Sequence, residues 1–385
     1  MKRRDFLMGA LISSGLLGSR FLPRLGKRAE WGKRDLRKDF YRIDSFCHFT
    51  TFKYIEWLEA HSFYPNSFRP AAEPNPSMYD AKERLKMMDD CGIHLSILVP
   101  LPNIETAGPV YNDPAMALQA AQLINDEIAS VVAQYPKRFL GVALLPTTNA
   151  DIMLNEFERA VRQLNAVGGY FIVSPTAKPT DHPDYMQLYK KAVGLNVPLW
   201  LHPSRPMTYP DYMSDPVAPS PPYPPNTRLS QYWLYLALGW VLDSSIAMSR
   251  IVLKGVFDTY PSLKLITHHR GAMVPLFANR LQGSFDFFDE MGLGITTTIS
   301  KPYIEHFKKF YCDTTCSLGP EIELVKVAYD FFGPDRILFG TDAPYSTRYG
   351  RDGTMASRYN VEGLDITDKA LENIFSKNVL KIIPH

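Results

Sequence analysis

The sequence predicts a single-domain α/β protein with a (β/α)8 fold, the TIM barrel, over residues 39–385. Short apolar runs alternate with amphipathic helical patterns, and eight such runs can be counted along the chain. Several of the runs end in a histidine or an aspartate, as expected where barrel strands deliver active-site residues at their carboxyl ends. The candidate strands are residues 41–46, 95–100, 139–145, 169–173, 198–202, 263–268, 310–313 and 336–340.

Most of the segments between these runs have the periodicity of amphipathic helices. This pattern favours parallel strands joined by crossover helices. The candidate helices are residues 114–135, 152–165, 185–194, 229–249, 273–289, 321–332 and 366–379. A doubly wound open sheet is the alternative arrangement. Its first strand would be followed by a glycine-rich phosphate-binding turn, whereas here the first strand runs into Phe46-Cys-His-Phe-Thr50. The barrel is therefore preferred.

Residues 1–38 are interpreted as an export signal or anchor followed by a linker. Arg3 and Arg4 precede Phe6-Leu7, and the apolar stretch 8–18 is too short to span a bilayer comfortably. This arrangement resembles a twin-arginine signal, which predicts a periplasmic or exported protein that uses the twin-arginine export machinery. Retention of the segment as an N-terminal membrane anchor is one alternative, and a basic amphipathic helix of a cytosolic enzyme is another.

The charge distribution argues against a nucleic-acid partner. The first 38 residues hold eleven Lys and Arg and three Asp and Glu, which leaves 31 basic and 37 acidic residues in the rest. The folded part is therefore mildly acidic, and its surface offers no overall basic field for a polyanion.

Candidate metal-binding and acid/base residues lie at the ends of four predicted strands. His48, His202 and Asp342 follow the first, fifth and eighth runs, and together they offer two imidazoles and a carboxylate to a divalent metal ion. His269 follows the sixth run, where it is a fourth ligand or a general acid/base. A single histidine at a strand end is more often structural, but four such residues on one barrel face point to a site.

The same residues lie in motifs that resemble the amidohydrolase-related, metal-dependent hydrolase family, which includes α-amino-β-carboxymuconate-ε-semialdehyde decarboxylase. The resemblance extends from Arg42 to the C-terminus. Its most specific parts are Gly255-Val-Phe-Asp-Thr-Tyr-Pro-Ser-Leu-Lys-Leu-Ile-Thr-His-His-Arg-Gly271 and Leu338-Phe-Gly-Thr-Asp342.

The resemblance implies a barrel that holds one divalent ion, often zinc, and acts on a small carboxylic acid. It implies that His202 and Asp342 bind the ion and that His269 acts on the substrate. Arg280 resembles the family's arginine that reaches into a neighbouring subunit to hold a substrate carboxylate, which implies a homodimer. Non-oxidative decarboxylation of an aromatic or unsaturated acid is the first functional hypothesis; hydrolysis of a lactone or amide, and a non-catalytic small-acid binding barrel, are the alternatives.

One position departs from the family pattern. The first strand usually ends His-x-His or Glu-x-His, whereas here it reads Phe46-Cys47-His48. Phe46 cannot bind a metal, and Cys47 points to the opposite face of the strand. Three interpretations remain open: a weaker metal site of His48, His202 and Asp342, completed by water or His269; a metal-free acid/base enzyme; or a fold retained without catalysis.

Overall fold

The computed structural model describes residues 40–62, 68–173, 177–203, 234–293, 299–300, 302–315 and 321–384. The proposed export segment therefore lies outside the described residues. Within those ranges no helix combines the length and the hydropathy that crossing a membrane requires.

Parallel strands form the wall of a barrel, which confirms the predicted fold class. The strands are β1 (Ile43–Phe49), β2 (Leu95–Pro100), β3 (Phe139–Gly141), β4 (Ala143–Leu144), β5 (Gly169–Val173), β6 (Leu199–Pro203), β7 (Leu265–Thr267), β8 (Tyr311–Asp313) and β9 (Ile337–Leu338). They pair in the orders β1-β2-β3 and β4-β5-β6-β7-β8-β9. The run predicted at 139–145 is divided at Val142, where the chain stops pairing with β2 and begins to pair with β5.

The barrel closes where its first strand meets its last. The backbone amide of Ser45 donates to the carbonyl of Phe339 at 2.8 Å, and the amide of His48 donates to the carbonyl of Ala343 at 2.7 Å. Cys47 and Ala343 form a parallel bridge at the same place. This seam brings the carboxyl end of β1 next to the segment that follows β9.

Helices surround the wall as the crossover rule requires. They are α1 (Phe52–His61), α2 (Arg69–Ala72), α3 (Ala81–Cys91), α4 (Gly108–Asn112), α5 (Pro114–Gln134), α6 (Ala150–Gln163), α7 (Pro183–Leu195), α8 (Trp240–Leu253), α9 (Val256–Thr259), α10 (Ala278–Glu290), α11 (Tyr303–Phe307), α12 (Ile322–Phe332), α13 (Arg351–Glu362), α14 (Asp368–Glu372) and α15 (Asn378–Ile382). A π-helical turn, Tyr235–Gly239, precedes α8, and another, Asn373–Lys377, interrupts the helix predicted at 366–379.

Local sequence accounts for several helix boundaries. Asp113 precedes Pro114 and accepts hydrogen bonds from the first amides of α5, which satisfies donors that a helix leaves unpaired. Asp80 caps α3 in the same way, and Gly92 ends that helix in the left-handed conformation that glycine adopts without strain.

Large side chains fill the barrel interior. The indole of Trp200 on β6 is fully buried and donates to the carbonyl of Ser45 on β1 at 3.1 Å, although the two strands are not neighbours. This hydrogen bond crosses the interior, so Trp200 points inward, and His202, two residues later, points to the same side. The buried indole of Trp200 thus packs inside the barrel near the end of β6 that carries His202.

Candidate active site

The structure brings together the strand-end residues His48, His202 and Asp342, as the sequence predicted. The Nε2 atom of His48 lies 3.0 Å from Oδ1 of Asp342. The ring centroids of His48 and His202 are 5.0 Å apart, and the planes are perpendicular. His269 lies beyond them, with its ring 6.0 Å from that of His268 and 6.3 Å from that of Trp240.

Asp44 fixes the two chain segments that carry His48 and Asp342. Its carboxyl oxygens accept from the amide and the hydroxyl of Thr341 at 3.1 and 2.5 Å, and from the amide of Phe46 at 3.3 Å. Burial raises the pKa of Asp44 to about 7, although the Thr341 hydrogen bond acts in the opposite direction. Asp342 itself has a φ of 58°, a left-handed conformation that aspartate tolerates better than most residues.

Burial keeps the predicted histidines neutral near pH 7. It lowers the pKa of His48, against the opposing hydrogen bond with Asp342, and it lowers the pKa of His202 and of His269. The Nδ1 atoms of His48 and His269 are buried without a hydrogen-bond partner in the described part of the chain. Neutral imidazoles with free nitrogen atoms can bind a metal ion or a substrate hydrogen-bond donor.

A second histidine–aspartate pair, His268 and Asp313, was missed by the sequence reasoning. Nδ1 of His268 hydrogen-bonds to Oδ2 of Asp313, and both side chains are fully buried. Oδ1 of Asp313 also accepts from the amides of His269 and Thr315 at 3.2 and 3.0 Å. Burial alone would raise the pKa of Asp313, but the neighbouring His268 outweighs it and the pKa is lowered.

A signal for this pair was present in the sequence. The strand patterns place Thr267 and His268 on opposite faces, and the hydroxyl of Thr267 does point away from the interior towards Met248 on α8. His268, at the end of the predicted strand, was therefore the inward residue. The short run that ends at Asp313 offered the second member of the pair.

Phe46 occupies the centre of the histidine cluster. Its ring is fully buried and packs directly on the ring of His268, with centroids 4.7 Å from His48 and 5.6 Å from His202. Gly340 makes room for this arrangement, because a Cβ there would lie 2.9 Å from Cβ of Asp313 and 3.2 Å from that of Phe46. The benzyl group of Phe46 therefore stands among three imidazoles at the position where the sequence departs from the family pattern.

Aromatic side chains surround the cluster at the barrel mouth. The ring of Tyr345, which is partly exposed, lies 5.4 Å from His48. The ring of Tyr170 lies 5.5 Å from His202, and Trp240 lies 6.3 Å from His202 on another side. Planar, apolar walls of this kind suit an aromatic or conjugated ligand with its polar group directed at the histidines.

The donor chemistry of the cluster fits a divalent ion, but the fit is incomplete. The 3.0 Å between His48 Nε2 and Asp342 Oδ1 is the separation expected of two ligands at about 2.1 Å from one ion at roughly a right angle. Across the described ranges, however, no three His, Cys, Asp or Glu side chains already stand in an arrangement that could hold a metal. The structure therefore shows one pair of possible metal ligands, His48 and Asp342, with further histidine side chains beside it.

Arg280 is not part of this cluster. It lies on α10, and its side chain is exposed. α10 has no buried residue, although it carries several large apolar side chains. A role for Arg280 at an active site would therefore have to involve another subunit, as the family resemblance implied.

The profile of the amidohydrolase family matches residues 43–384 of the chain, which is nearly the whole of the described barrel. The chain belongs to the amidohydrolase family. The resemblance inferred from the sequence motifs is thus confirmed.

Similar proteins include several decarboxylases. This amidohydrolase is 28% identical over 314 residues to the γ-resorcylate decarboxylase of Polaromonas sp., covering 77% of this chain and 86% of that protein. It is 23% identical over 312 residues to the 2-amino-3-carboxymuconate-6-semialdehyde decarboxylase of Dictyostelium discoideum, covering 81% and 78%. The crystal structure of 5-carboxyvanillate decarboxylase from Novosphingobium aromaticivorans, complexed with manganese and 4-hydroxy-3-methoxy-5-nitrobenzoic acid, aligns with a TM-score of 0.72 at 20% identity, over 90% of this chain and 96% of that one.

Proposed function

We propose that this amidohydrolase is a non-oxidative decarboxylase of a small aromatic or unsaturated carboxylic acid. The observation that carries the proposal is the convergence of His48, His202 and Asp342 at the carboxyl ends of barrel strands, beside His269 and within aromatic walls. The decarboxylases among its relatives support the same reaction class.

Decarboxylation of such an acid needs a proton donor at the carbon that bears the carboxylate. A proton is added to that carbon, the bond to the carboxylate breaks, its electrons return to the ring or the conjugated chain, and carbon dioxide leaves. His269 is placed for this transfer because its Nδ1 has no partner within the described chain and its ring faces Trp240. Burial lowers the pKa of His269, so its protonated form is the minor one near pH 7, and that form readily releases its proton. Asp342 is the second candidate donor.

We infer that one divalent ion completes the site, held by His48, His202 and Asp342. When bound, such an ion supplies positive charge that polarises a substrate oxygen and stabilises the electron-rich intermediate. Zinc, which the family resemblance implies, and manganese, which the crystallised relative contains, are the two forms to test. The chain's own residues supply the remaining interactions: aromatic side chains orient the substrate, and His269 transfers the proton.

The test is turnover of the purified protein, loaded with zinc or with manganese, on γ-resorcylate, other hydroxylated benzoates and muconate-like acids. Release of carbon dioxide together with loss of the substrate absorbance is expected for at least one acid. His269→Gln should reduce the rate by about 10²- to 10⁴-fold, the usual contribution of a general acid. The surface variant His61→Gln is the matched control. Turnover of lactones or amides instead would indicate hydrolysis, and binding of acids without any turnover would indicate a non-catalytic barrel.

We also propose that the protein is a homodimer in which Arg280 of each subunit contacts a substrate in the other. Large apolar side chains are exposed along α8 and its preceding turn and along α10 and the segment before it. They are Leu238, Leu242, Ile246, Leu276, Phe277, Phe287 and Phe288. Leu238, Leu242 and Ile246 follow one another at four-residue spacing, so they form a stripe along one helix face.

A mixing experiment tests this dimer. Light scattering should give twice the chain mass of 43.7 kDa. Arg280→Ala and His202→Ala should each be inactive alone, whereas mixed and refolded subunits should recover about a quarter of the activity, because half of the dimers carry one intact site in two. A monomer, or a mixture without recovered activity, contradicts the shared site.

Export to the periplasm is proposed from residues 1–38 alone. The adjacent Arg3 and Arg4 and the short apolar stretch that follows support it. Fractionation of cells that express the full chain should place the protein outside the cytoplasm, and replacing both arginines with lysine should retain it inside. A cytoplasmic location of the unaltered chain would contradict the proposal.

A further inference from the structure

We propose that Arg84 is a positioning residue of the candidate active site, because its buried side chain joins the end of β1 to a turn that also holds the segment after β9. The inference rests on the proposed function, since it concerns the site that would carry out that reaction. Arg84 lies on α3, away from the strand ends that supply His48 and Asp342. It acts through those two residues and does not contact the substrate.

The hydrogen bonds of the Arg84 side chain go to two backbone carbonyl groups. Its Nη2 donates to the carbonyl of His48, and its Nε donates to the carbonyl of Ser77 at 2.7 Å. The side chain is completely buried, and Nη1 has no hydrogen-bond partner among the described residues. The donors of a guanidinium group are planar and fixed, so they hold the two carbonyls at a set separation.

Ser77 lies in the 3₁₀ turn Pro76–Met78, and this turn contacts the segment that follows β9. The hydroxyl of Ser77 donates to the carbonyl of Tyr349 at 2.8 Å. The side-chain amide of Asn75, which precedes the turn, donates to the carbonyl of Pro344 at 2.8 Å. These two hydrogen bonds hold the segment after β9 at both of its ends.

The segment held in this way adjoins the open side of the site. Asp342 lies just before it, and Tyr345 lies within it, with its ring centroid 5.4 Å from that of His48. Arg84 binds the carbonyl of His48 on one side and the turn on the other. The guanidinium group therefore fixes the position of His48 relative to both Asp342 and Tyr345.

The pair of His48 and Asp342 is sensitive to small displacements. Nε2 of His48 lies 3.0 Å from Oδ1 of Asp342, which is a contact distance. The amide of His48 donates to the carbonyl of Ala343 at 2.7 Å, and its carbonyl accepts from Arg84, so both backbone polar groups of this residue are engaged. A misplacement of about 1 Å at a reacting group can lower a rate by about 100-fold.

Arg42 provides a matched control on the same strand. It is also a buried arginine, and it donates to the carbonyl of Phe40 at 3.1 Å and to Oε1 of Glu362 at 3.0 Å. Arg42 directly precedes β1, whereas His48 lies near the carboxyl end of that strand. Replacing Arg42 therefore removes a buried guanidinium group without removing a contact to the site.

The kinetic test compares Arg84→Met with Arg42→Met in the full-length protein, at a temperature where urea unfolding shows both variants to be folded. On the acid that the unaltered protein decarboxylates, kcat of Arg84→Met should fall about 100-fold, and KM should change by less than about threefold. For Arg42→Met, kcat should stay within about twofold of the unaltered value. Equal losses of kcat in the two variants, or full activity of folded Arg84→Met, would overturn the assignment.

Hydrogen exchange, followed by mass spectrometry, tests the same role without any turnover. Amides of residues 74–80 and 343–350 should exchange at least about tenfold faster in Arg84→Met than in the unaltered protein, and at unaltered rates in Arg42→Met. A protein that turns over no acid would lose the proposed reaction, while these exchange rates would still decide whether Arg84 holds the two segments. Unchanged exchange of residues 343–350 would contradict the positioning role.

If Arg84→Met fails to fold, Asn75→Ala takes its place. This variant keeps the buried arginine and removes the hydrogen bond between the turn and the carbonyl of Pro344. Exchange of residues 343–350 should again be faster, and kcat should fall with KM nearly unchanged. Normal exchange together with normal kcat in Asn75→Ala would show that the turn does not position the site.

Discussion

Two histidine–aspartate pairs lie on either side of Phe46, and their surroundings differ. In the pair of His48 and Asp342, the imidazole is buried but the carboxylate side chain is 22% exposed at the barrel mouth. In the pair of His268 and Asp313, both side chains are completely buried. The same two functional groups are thus open to a ligand in one place and sealed from solvent in the other.

The difference follows from the position of each carboxylate in the chain. Asp342 stands beyond the end of β9 in a left-handed turn, whereas Asp313 is the last residue of β8 and also holds the amides of His269 and Thr315. A carboxylate with several donors around it stabilises the surrounding backbone, while one with a single contact remains available to a substrate or an ion. We therefore expect the pair of His48 and Asp342 to determine the turnover rate. The pair of His268 and Asp313 should determine the stability of the fold.

Replacing Asp342 with asparagine should have the largest effect. The expected loss is about 10²- to 10⁴-fold in kcat/KM, because the variant keeps the shape and removes the charge that binds or moves protons. Thermal unfolding should change little. Asp335→Asn, at an exposed carboxylate, is the control and should be unaffected. Activity close to that of the unaltered protein would place the chemistry elsewhere.

Replacing Asp313 with alanine should mainly reduce stability. Breaking a buried ion pair by removing one partner costs about 3 to 5 kcal/mol, and two further hydrogen bonds, from the amides of His269 and Thr315, are lost as well. Urea unfolding measures the free energy. Asp342→Ala is the comparison within the protein and should cost clearly less. Equal losses in both variants would mean that the two pairs do not differ in the way their exposure indicates.

The smallest expected effect concerns a third carboxyl group, that of Glu105, which is not paired with a histidine. Glu105 is buried after β2, accepts from the hydroxyl of Thr147 at 2.7 Å, and has no partner for Oε2 within the described residues. Burial raises its pKa to about 7, whereas the pKa of the equally buried Asp313 is lowered next to His268. Burial alone thus raises the pKa of Glu105, whereas the interaction with His268 outweighs burial at Asp313 and lowers the pKa of that carboxyl.

The raised pKa of Glu105 predicts how the free energy of unfolding depends on pH. The folded protein binds a proton at Glu105 more tightly than the unfolded chain, so the resulting stability is present below pH 4.5 and is lost as the pH rises through about 7. Between pH 5 and pH 8 the unaltered protein should lose roughly 2 kcal/mol relative to Glu105→Gln, since one pKa unit corresponds to about 1.4 kcal/mol. If the stabilities of the unaltered protein and Glu105→Gln, measured by urea unfolding, changed in parallel between pH 5 and pH 8, the raised pKa of Glu105 would be refuted.

The barrel, and the approach of His48 to Asp342 and to His202, could be predicted because strand periodicity identifies the residues at strand ends. The roles of these three residues as ligands or acid/base groups stay predictions. His269 was selected because it follows the sixth run, whereas the alternation of that strand favours His268 as the inward residue. No local pattern could reveal that Asp313 on one strand would orient His268 on the next.

Other features depend on contacts distant in sequence. The third predicted run is divided at Val142 because the residues up to Gly141 pair with β2 and those from Ala143 pair with β5. The sequence also gave no helical prediction for α3 or α13, although Asp80 and Gly92 at the ends of α3 are recognisable boundary residues.

The seam between β1 and the segment after β9 has a consequence for biosynthesis. Ser45 and Phe339, which pair there, are 294 positions apart. His48 and Asp342 can therefore meet only after residues up to Asp342 have left the ribosome, and a fragment that ends before β9 cannot form this pair. The contact that closes the barrel is thus made late in synthesis, after the other strands are available to pair.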